Sequence, residues 1–569
     1  MKHLKYIFRF VIVILIFLQA GCAKDFLVKP PLDSVTDASF YQNDAQLQAA
    51  TALLYSQVWF DYNDKASYNF GDFRAGTAYS AYNDRNNVLF NTTPDIGEVS
   101  AAWRAFFIVV GQSNLAIHNI NTYAGSGVTE TAKKHAIAEA RFMRALAYRY
   151  LVMDFGPVPI ITDNLTLLND TSLTRNTIQS VWRFIISEMR AVANDLPETP
   201  DLVGRVTKWS AEGMLARFYL TRAGVESVGG VRNQTYLDSA KYYADRVIKL
   251  SGKQLLTDYA SLFHYPYDNN SESLFELQWV WIKRTSTVGY GQGNSAPSYL
   301  TFSNDITSNG DGWGGDKSAT WWMLSLYDGI ASNGDAVADT SMKGNSPDTR
   351  LKATFMLPGM VYPEITQTLN GVNQQLKFPL TDDDGRNFAS IKKYVCGQKV
   401  DLGGQGDQQD YPQDTYMLRL AEMYLTYAEA TLGNNATTND VTALSYFNAV
   451  HTRAGLPPVT VALTPDTIFK ERIKEFAMEG MAWYDLVSLH YYNPQKTYTI
   501  INSQDRGVFN VKPDNFNNPT IWTFQKSPHY RSDVRKVNAY DGNFLIPLPA
   551  AEVLQAPNLL KEPVDYYSK

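Results

Sequence analysis

Residues 415–432 read TYMLRLAEMYLTYAEATL, and residues 441–453 read VTALSYFNAVHTR. In the first stretch Leu418, Ala421, Leu425, Ala428 and Ala430 recur at helical spacing, and Gly433-Asn434 supplies a C-terminal cap. In the second, Leu444, Phe447 and Val450 share a face. Small residues facing aromatics across two paired helices, with Ala421, Tyr424, Ala428, Ala443 and Phe447 in the key positions, are the mark of tetratricopeptide-type repeats. A strict period of about 34 residues is absent, so the repeats are degenerate; on this pattern alone a plain helical bundle is the alternative. Outward from this pair, the same spacing predicts helices over 44–59, 99–120, 129–153, 177–193, 209–221 and 236–250, and a long one over 465–489. Gly156-Pro157 stops the third of these. The chain is therefore read as mainly α. Between the last two groups of helices, residues 250–415 are rich in Gly, Asn, Asp, Ser and aromatics, with strand-like pieces such as LFELQWVW at 274–281. This is a loop-rich lobe, and loops on a rigid scaffold carry function.

The chain has 569 residues, 45% of them apolar and 19% charged, with a net charge of −6. An ordinary apolar fraction argues against disorder, and the acidic balance against a nucleic-acid footprint. A single long apolar run argues against a polytopic membrane protein. Two cysteines exclude a disulfide scaffold. The length exceeds the roughly 250–300 residues that one core supports. It predicts two or more cores, or a repeat scaffold with additions.

Lys2, Lys5 and Arg9 precede FVIVILIFL at 10–18, which is too short to span a bilayer and has the length of a signal-peptide core. Ala20 and Gly21 then lead to Cys22, as in a bacterial lipobox whose thiol is lipidated, although Leu18 stands one place further from the cysteine than is usual. An ordinary signal peptide with a chance cysteine is the other reading. Cys396 is left as a buried free thiol. The expected layout is a signal peptide over 1–21, a lipidated tether over 22–43 and a helical region over 44–265. A C-terminal region over 266–569 follows, with an insertion at about 270–412 and helical repeats at 413–490.

Catalytic motifs are lacking. The seven histidines show no metal-ligand spacing, and no zincin, nucleophile-elbow or P-loop pattern occurs. Asp305, Thr307, Asn309, Gly310 and Asp316 only loosely mimic a calcium loop, and Asp382-Asp383-Asp384-Gly385 reads as a solvated turn. No cofactor, metal or catalytic residue is expected. Aromatics, by contrast, crowd two loop regions. Tyr62, Tyr68, Phe70, Phe73, Tyr79 and Tyr82 lie among Asp72, Arg74, Asn83, Asp84 and Arg85, while Trp279, Trp281, Tyr290, Tyr299, Trp313, Trp321 and Trp322 lie in the Gly-rich region. Flat rings beside amides and carboxylates suit a sugar, whose C–H faces pack on the rings while polar groups fix the hydroxyls. Most of these rings are also what a core would use.

The sequence resembles the SusD/RagB family of surface lipoproteins of the Bacteroidota. The resemblance rests on Cys22 with Asp25, Phe26 and Leu27, and on Glu139, Arg141, Phe142, Arg144, Ala145 and Tyr148 followed by Phe155, Gly156, Val158 and Pro159. It continues through Asp348, Arg350 and Leu351, and through Arg419, Ala421, Glu422, Tyr424, Leu425, Ala428, Glu429 and Ala430. Asn448 with Arg453–Leu456, then Glu471, Arg472, Glu475, Phe476, Glu479, Gly480, Trp483, Asp485 and Leu486, and finally Pro547, Pro549, Glu552, Pro557 and Leu559 complete it in order. Ala482 and Ser488 stand where the family often has Arg.

The resemblance implies the SusD-like fold, with tetratricopeptide-like pairs as scaffold and an irregular lobe carrying the ligand. It implies a lipid anchor at Cys22 on the outer membrane and a TonB-dependent, SusC-like transporter as partner. The implied ligand is a glycan, less often a peptide, and no chemistry on it; a surface enzyme is the remote alternative. The candidate ligand residues are Asp72, Arg74, Tyr82 and Asn83 from the first loop and Trp281, Tyr290 and Trp313 from the second.

Overall fold

The structure, a computed structural model, describes residues 37–167, 172–282, 292–308, 311–330, 342–381, 386–526 and 534–568. Its frame is a run of helices: α1 (Asp44–Ala52), α2 (Gly97–Tyr123), α3 (Glu130–Phe155), α4 (Ile178–Asp195), α5 (Lys208–Val225), α6 (Gln234–Leu250), α7 (Leu420–Leu432), α8 (Val441–Arg453), α9 (Pro465–Phe476), α10 (Ala482–His490) and α11 (Pro494–Ser503). Their starts are set locally. Asn43, Thr129, Thr177, Thr207, Asn233, Asp440, Thr464 and Asn493 each accept a backbone N–H that the first turn leaves unpaired.

From α2 to α8 each helix packs on the next, and this includes α6 on α7. The lobe between them is thus spliced between two neighbours of one continuous helical array. Its base is closed by β1 (Ser273–Leu277) pairing antiparallel with β2 (Thr415–Arg419), Ser273 opposite Arg419 and Leu277 opposite Thr415. The lobe holds a hairpin of Val361–Leu369 with Val372–Lys377 and three strands of a small sheet, whose order is Ala78–Tyr79, Ser318–Ala319, Ser390–Ile391, Phe355–Met356, the first strand coming from the segment before α2. The largest cluster of buried apolar residues runs from Leu54 to Leu559 through scaffold and lobe alike. This is a repeat scaffold with additions. Tyr41, which lies in the expected tether, is buried with Leu47, Ile120 and Ala136. No helix among the described residues is long and apolar enough to cross a membrane.

Most helix ends fall within four residues of the sequence reading, and three helices differ by more than that. Residues 415–419 form β2 because β1 offers a backbone ladder that outweighs helical spacing. The helix expected over 44–59 keeps α geometry only to Ala52 and continues in tight turns. The long helix over 465–489 is broken between α9 and α10, where Met478 and Gly480 take positive φ. Their N–H groups donate to the two carboxylate oxygens of Asp72, each at 2.8 Å. Gly71 is needed at this crossing, since a Cβ there would lie 2.4 Å from the Gly480 Cα.

Candidate ligand-binding face

The strand Ala78–Tyr79 pairs with Ser318–Ala319 and so brings the first aromatic loop against the Gly-rich one. Just beyond the strand, Tyr82 adopts φ +55° and its side chain is 72% exposed. The turn below it is held by charge. The Asp316 carboxylate accepts the Ala81 N–H at 2.8 Å and the Ser80 hydroxyl at 3.3 Å. Asp84 accepts Ser80 at 3.0 Å and the Tyr299 hydroxyl at 2.8 Å. The Lys317 ammonium sits 4.2 Å above the Tyr299 ring and donates to Asp316 and to the Trp313 carbonyl, both at 3.2 Å. Two carboxylates and one ammonium therefore weld the Tyr82 turn to the segment that carries Trp313.

Trp313 is 45% exposed, and its N–H donates to the Ser298 carbonyl at 2.9 Å. Gly314 beside it approaches so closely that a Cβ would fall 2.0 Å from the Leu300 oxygen. Asp311, two residues earlier, accepts the Ser298 hydroxyl and the Gln409 N–H, which ties on the loop of residues 398–411. From that loop the Lys399 ammonium approaches to 5.9 Å of the ring of half-buried Trp281. The Trp281 indole N–H finds no hydrogen-bond partner among the described residues. Tyr82, Trp313 and Trp281 thus belong to one connected set of loops, whose polar groups beneath them are buried and paired with one another.

Asp72 and Arg74 do not reach this face. Asp72 is fully buried as the clamp on the α9–α10 break; burial pushes its carboxyl up to about 6 although three hydrogen bonds pull the other way. Arg74 is buried between Phe90 and Trp483, at 5.0 and 4.9 Å, and donates to Thr92 and to the Asn543 carbonyl; burial lowers it to about 10. Both serve the core, because a loop this close to α10 has no solvent side at those positions. Tyr290 and Cys22 lie outside the described residues, as does the Asn83 side chain. Of the other rings in these loops, Tyr62, Tyr68, Phe70, Phe73, Tyr79, Trp279, Tyr299 and Trp321 are core. Sequence reasoning missed Asp316 and Lys317 as supports of the face. Of the loose calcium pattern, Asn309 and Gly310 lie outside the described residues, and the Asp316 carboxylate accepts Ala81, Ser80 and Lys317.

Asp268, Glu276 and Asp414 bring carboxylate oxygens within 4.8 Å of one another, close enough to share a cation. Burial, then mutual repulsion, raises Glu276 and Asp414, and burial raises Asp268. Protons can satisfy the cluster as well as a cation can. Cys396 is a buried free thiol, raised by burial, with its sulfur on Gln413.

Residues 271–566 match the model of the SusD family, and residues 27–220 match one described as starch-binding associating with outer membrane. A SusD-like protein of Bacteroides ovatus is 35% identical over 560 residues, 96% of each chain. The chain belongs to the SusD family. A crystal structure with xylogluco-oligosaccharide is 34% identical at a TM-score of 0.77, covering 92% of this chain and 99% of that one. The starch-binding protein SusD of Bacteroides thetaiotaomicron is 25% identical over 393 residues, 65% of this chain and 67% of its own.

The charged residues at the centre of the family resemblance, Arg350, Arg419, Glu471 and Glu475, are interior. Arg419, 1% exposed, donates to Glu272 at 2.9 Å, Glu475 at 2.6 Å and Glu479 at 2.8 Å. Arg350 is caged by Asp348, Glu471 and Glu475 at 2.7–3.0 Å. Arg453 joins Glu272 and Glu475. Glu139 accepts Arg205, and Arg141 and Arg144 share Glu188. These charged signature residues therefore specify the scaffold, while the exposed rings Tyr82 and Trp313 belong to none of the signature motifs.

Proposed function

We propose that this SusD-family chain is a surface lipoprotein that binds oligosaccharide or polysaccharide and delivers it to a TonB-dependent, SusC-like transporter. The observation that carries the reading is the pair of solvent-facing rings, Tyr82 and Trp313, on loops welded together by Asp316 and Lys317. Support comes from the relative of known structure with xylogluco-oligosaccharide at 34% identity. The rings pack on sugar C–H faces, and half-buried Trp281 extends the surface toward Lys399. An exposed surface, in contrast to a deep pocket, leaves both ends of a glycan chain unobstructed and so suits a polymer. Lipidation at Cys22 holds the protein to the outer membrane, as the sequence of its first 22 residues suggests. The ligand is captured and passed on without bond cleavage.

Calorimetric titration with xyloglucan and starch oligosaccharides, alongside a peptide panel, tests the reading. Saturable binding of one glycan class, lost in Trp313→Ala, supports it. Binding of peptides alone, or turnover of any glycan by the purified protein, overturns it. Co-purification with a transporter barrel after mild detergent extraction checks the partner.

A further inference from the structure

A cavity of about 300 Å³ lies between α3, α5, α7, α9 and α10, and none of the exposed rings Tyr82, Trp313 or Trp281 lines it. Its wall carries an unusual number of charges, and all but one are matched. Arg217 pairs with Glu422, Arg232 with Glu429 at 2.9 Å, Arg472 with Asp485 at 2.7 Å and Lys496 with Asp466 at 2.7 Å. Arg149 is left over. It is 2% exposed and stacked on the rings of Tyr484 and Tyr150, at 4.1 and 4.6 Å. Its Nη1 has no hydrogen-bond partner among the described residues, and neither has Nη1 of Arg472 in the same wall. Two carboxylates feel its charge, Glu422, which Arg217 holds, and Asp154, whose Oδ2 accepts the Tyr484 hydroxyl, but neither hydrogen-bonds it. A buried guanidinium nitrogen without an acceptor is costly, and an oxyanion is what its planar fork accepts. Leu220, Leu432, Ile468 and Phe469 supply apolar wall beside it.

We propose that this cavity is a second ligand site, which takes a small organic carboxylate between the guanidinium groups of Arg149 and Arg472, with its hydrocarbon part against the apolar wall. It is independent of glycan binding at the aromatic face.

The test is titration of the full-length protein in detergent with acetate, succinate and glucuronate, with chloride and inorganic phosphate as comparison anions. Saturable binding of a carboxylate, with a rise in melting temperature at saturation, is expected. Arg149→Met should abolish that binding and leave glycan affinity unchanged. Should Arg149→Met fail to fold, Ser488→Glu provides the check, since Ser488 lines the same cavity and the new carboxylate supplies the anion from within the chain. It should raise the melting temperature and remove carboxylate binding. No saturable carboxylate binding, binding of phosphate or chloride alone, or carboxylate binding undiminished in Arg149→Met or in Ser488→Glu overturns the proposal.

Discussion

In the helical scaffold Arg350 and Arg419 are sealed inside cages of carboxylates at 0–1% exposure, whereas in the loop lobe Tyr82 and Trp313 stand out into solvent at 72% and 45%. The two regions use charge differently. The scaffold buries Arg–Glu networks that join α7, α8 and α9 to the base of the lobe, so geometry there is fixed by pairing. The lobe keeps a smaller set, Asp84, Asp316 and Lys317, just beneath its surface and leaves the outer layer to rings. What is most strongly patterned in the sequence thus specifies a platform, and the solvent-facing rings of the lobe are carried by residues with no shared motif.

Breaking the scaffold network should give the largest effect. Arg419→Met leaves Glu272, Glu475 and Glu479 without their shared partner and should lower stability by about 3–5 kcal/mol in urea denaturation. A loss under about 1 kcal/mol would mean that the cage is not what holds α7 to α9. Next comes Asp72→Ala, which strands two buried N–H groups at the α9–α10 break and should cost about 2–3 kcal/mol, with Asp72→Asn recovering part of it. Trp313→Ala should do the reverse. Glycan affinity should fall by about 2 kcal/mol, roughly thirtyfold, while stability stays within about 0.5 kcal/mol of the parent. A joint fall in both would place Trp313 in the core and collapse the contrast. The smallest effect is a pH slope. The carboxyls of Asp268, Glu276 and Asp414 are raised in the folded state. Their contribution is complete below the unfolded values of about 4 and is lost as pH climbs through the raised folded ones. The protein should gain stability from about pH 8 to about pH 5, and Glu276→Gln should flatten that gain in thermal melts.

The helical pairs were legible because their spacing is local, and 441–453 was read to the residue. The break in the 465–489 helix was not, because the acceptor that stabilises it, Asp72, is 406 residues away from Met478 in the chain. Strand β2 was hidden for the same reason, its ladder partner being β1. Aromatic density marked two loops that the fold brings together, but it could not tell exposed rings from core rings. Tyr79 and Tyr82, three residues apart, are 1% and 72% exposed, because one sits in a paired strand and the other on a positive-φ turn propped from below by Asp316. Asp72 and Arg74 looked like a polar ligand pair because composition cannot tell a solvent-facing charge from one clamped on backbone.

The splice of the lobe between α6 and α7 bears on how the molecule can change. Because β1 and β2 hold its two ends side by side, the scaffold sees only a closed junction, whatever length of chain runs out from it and back. Closing a longer excursion adds little, about 0.6 kcal/mol for each doubling of its length. Segments of the lobe that make no contact with the charged cages can therefore be lengthened, shortened or exchanged for others with different rings, and the array beneath them will accept each version as the same plug in the same socket.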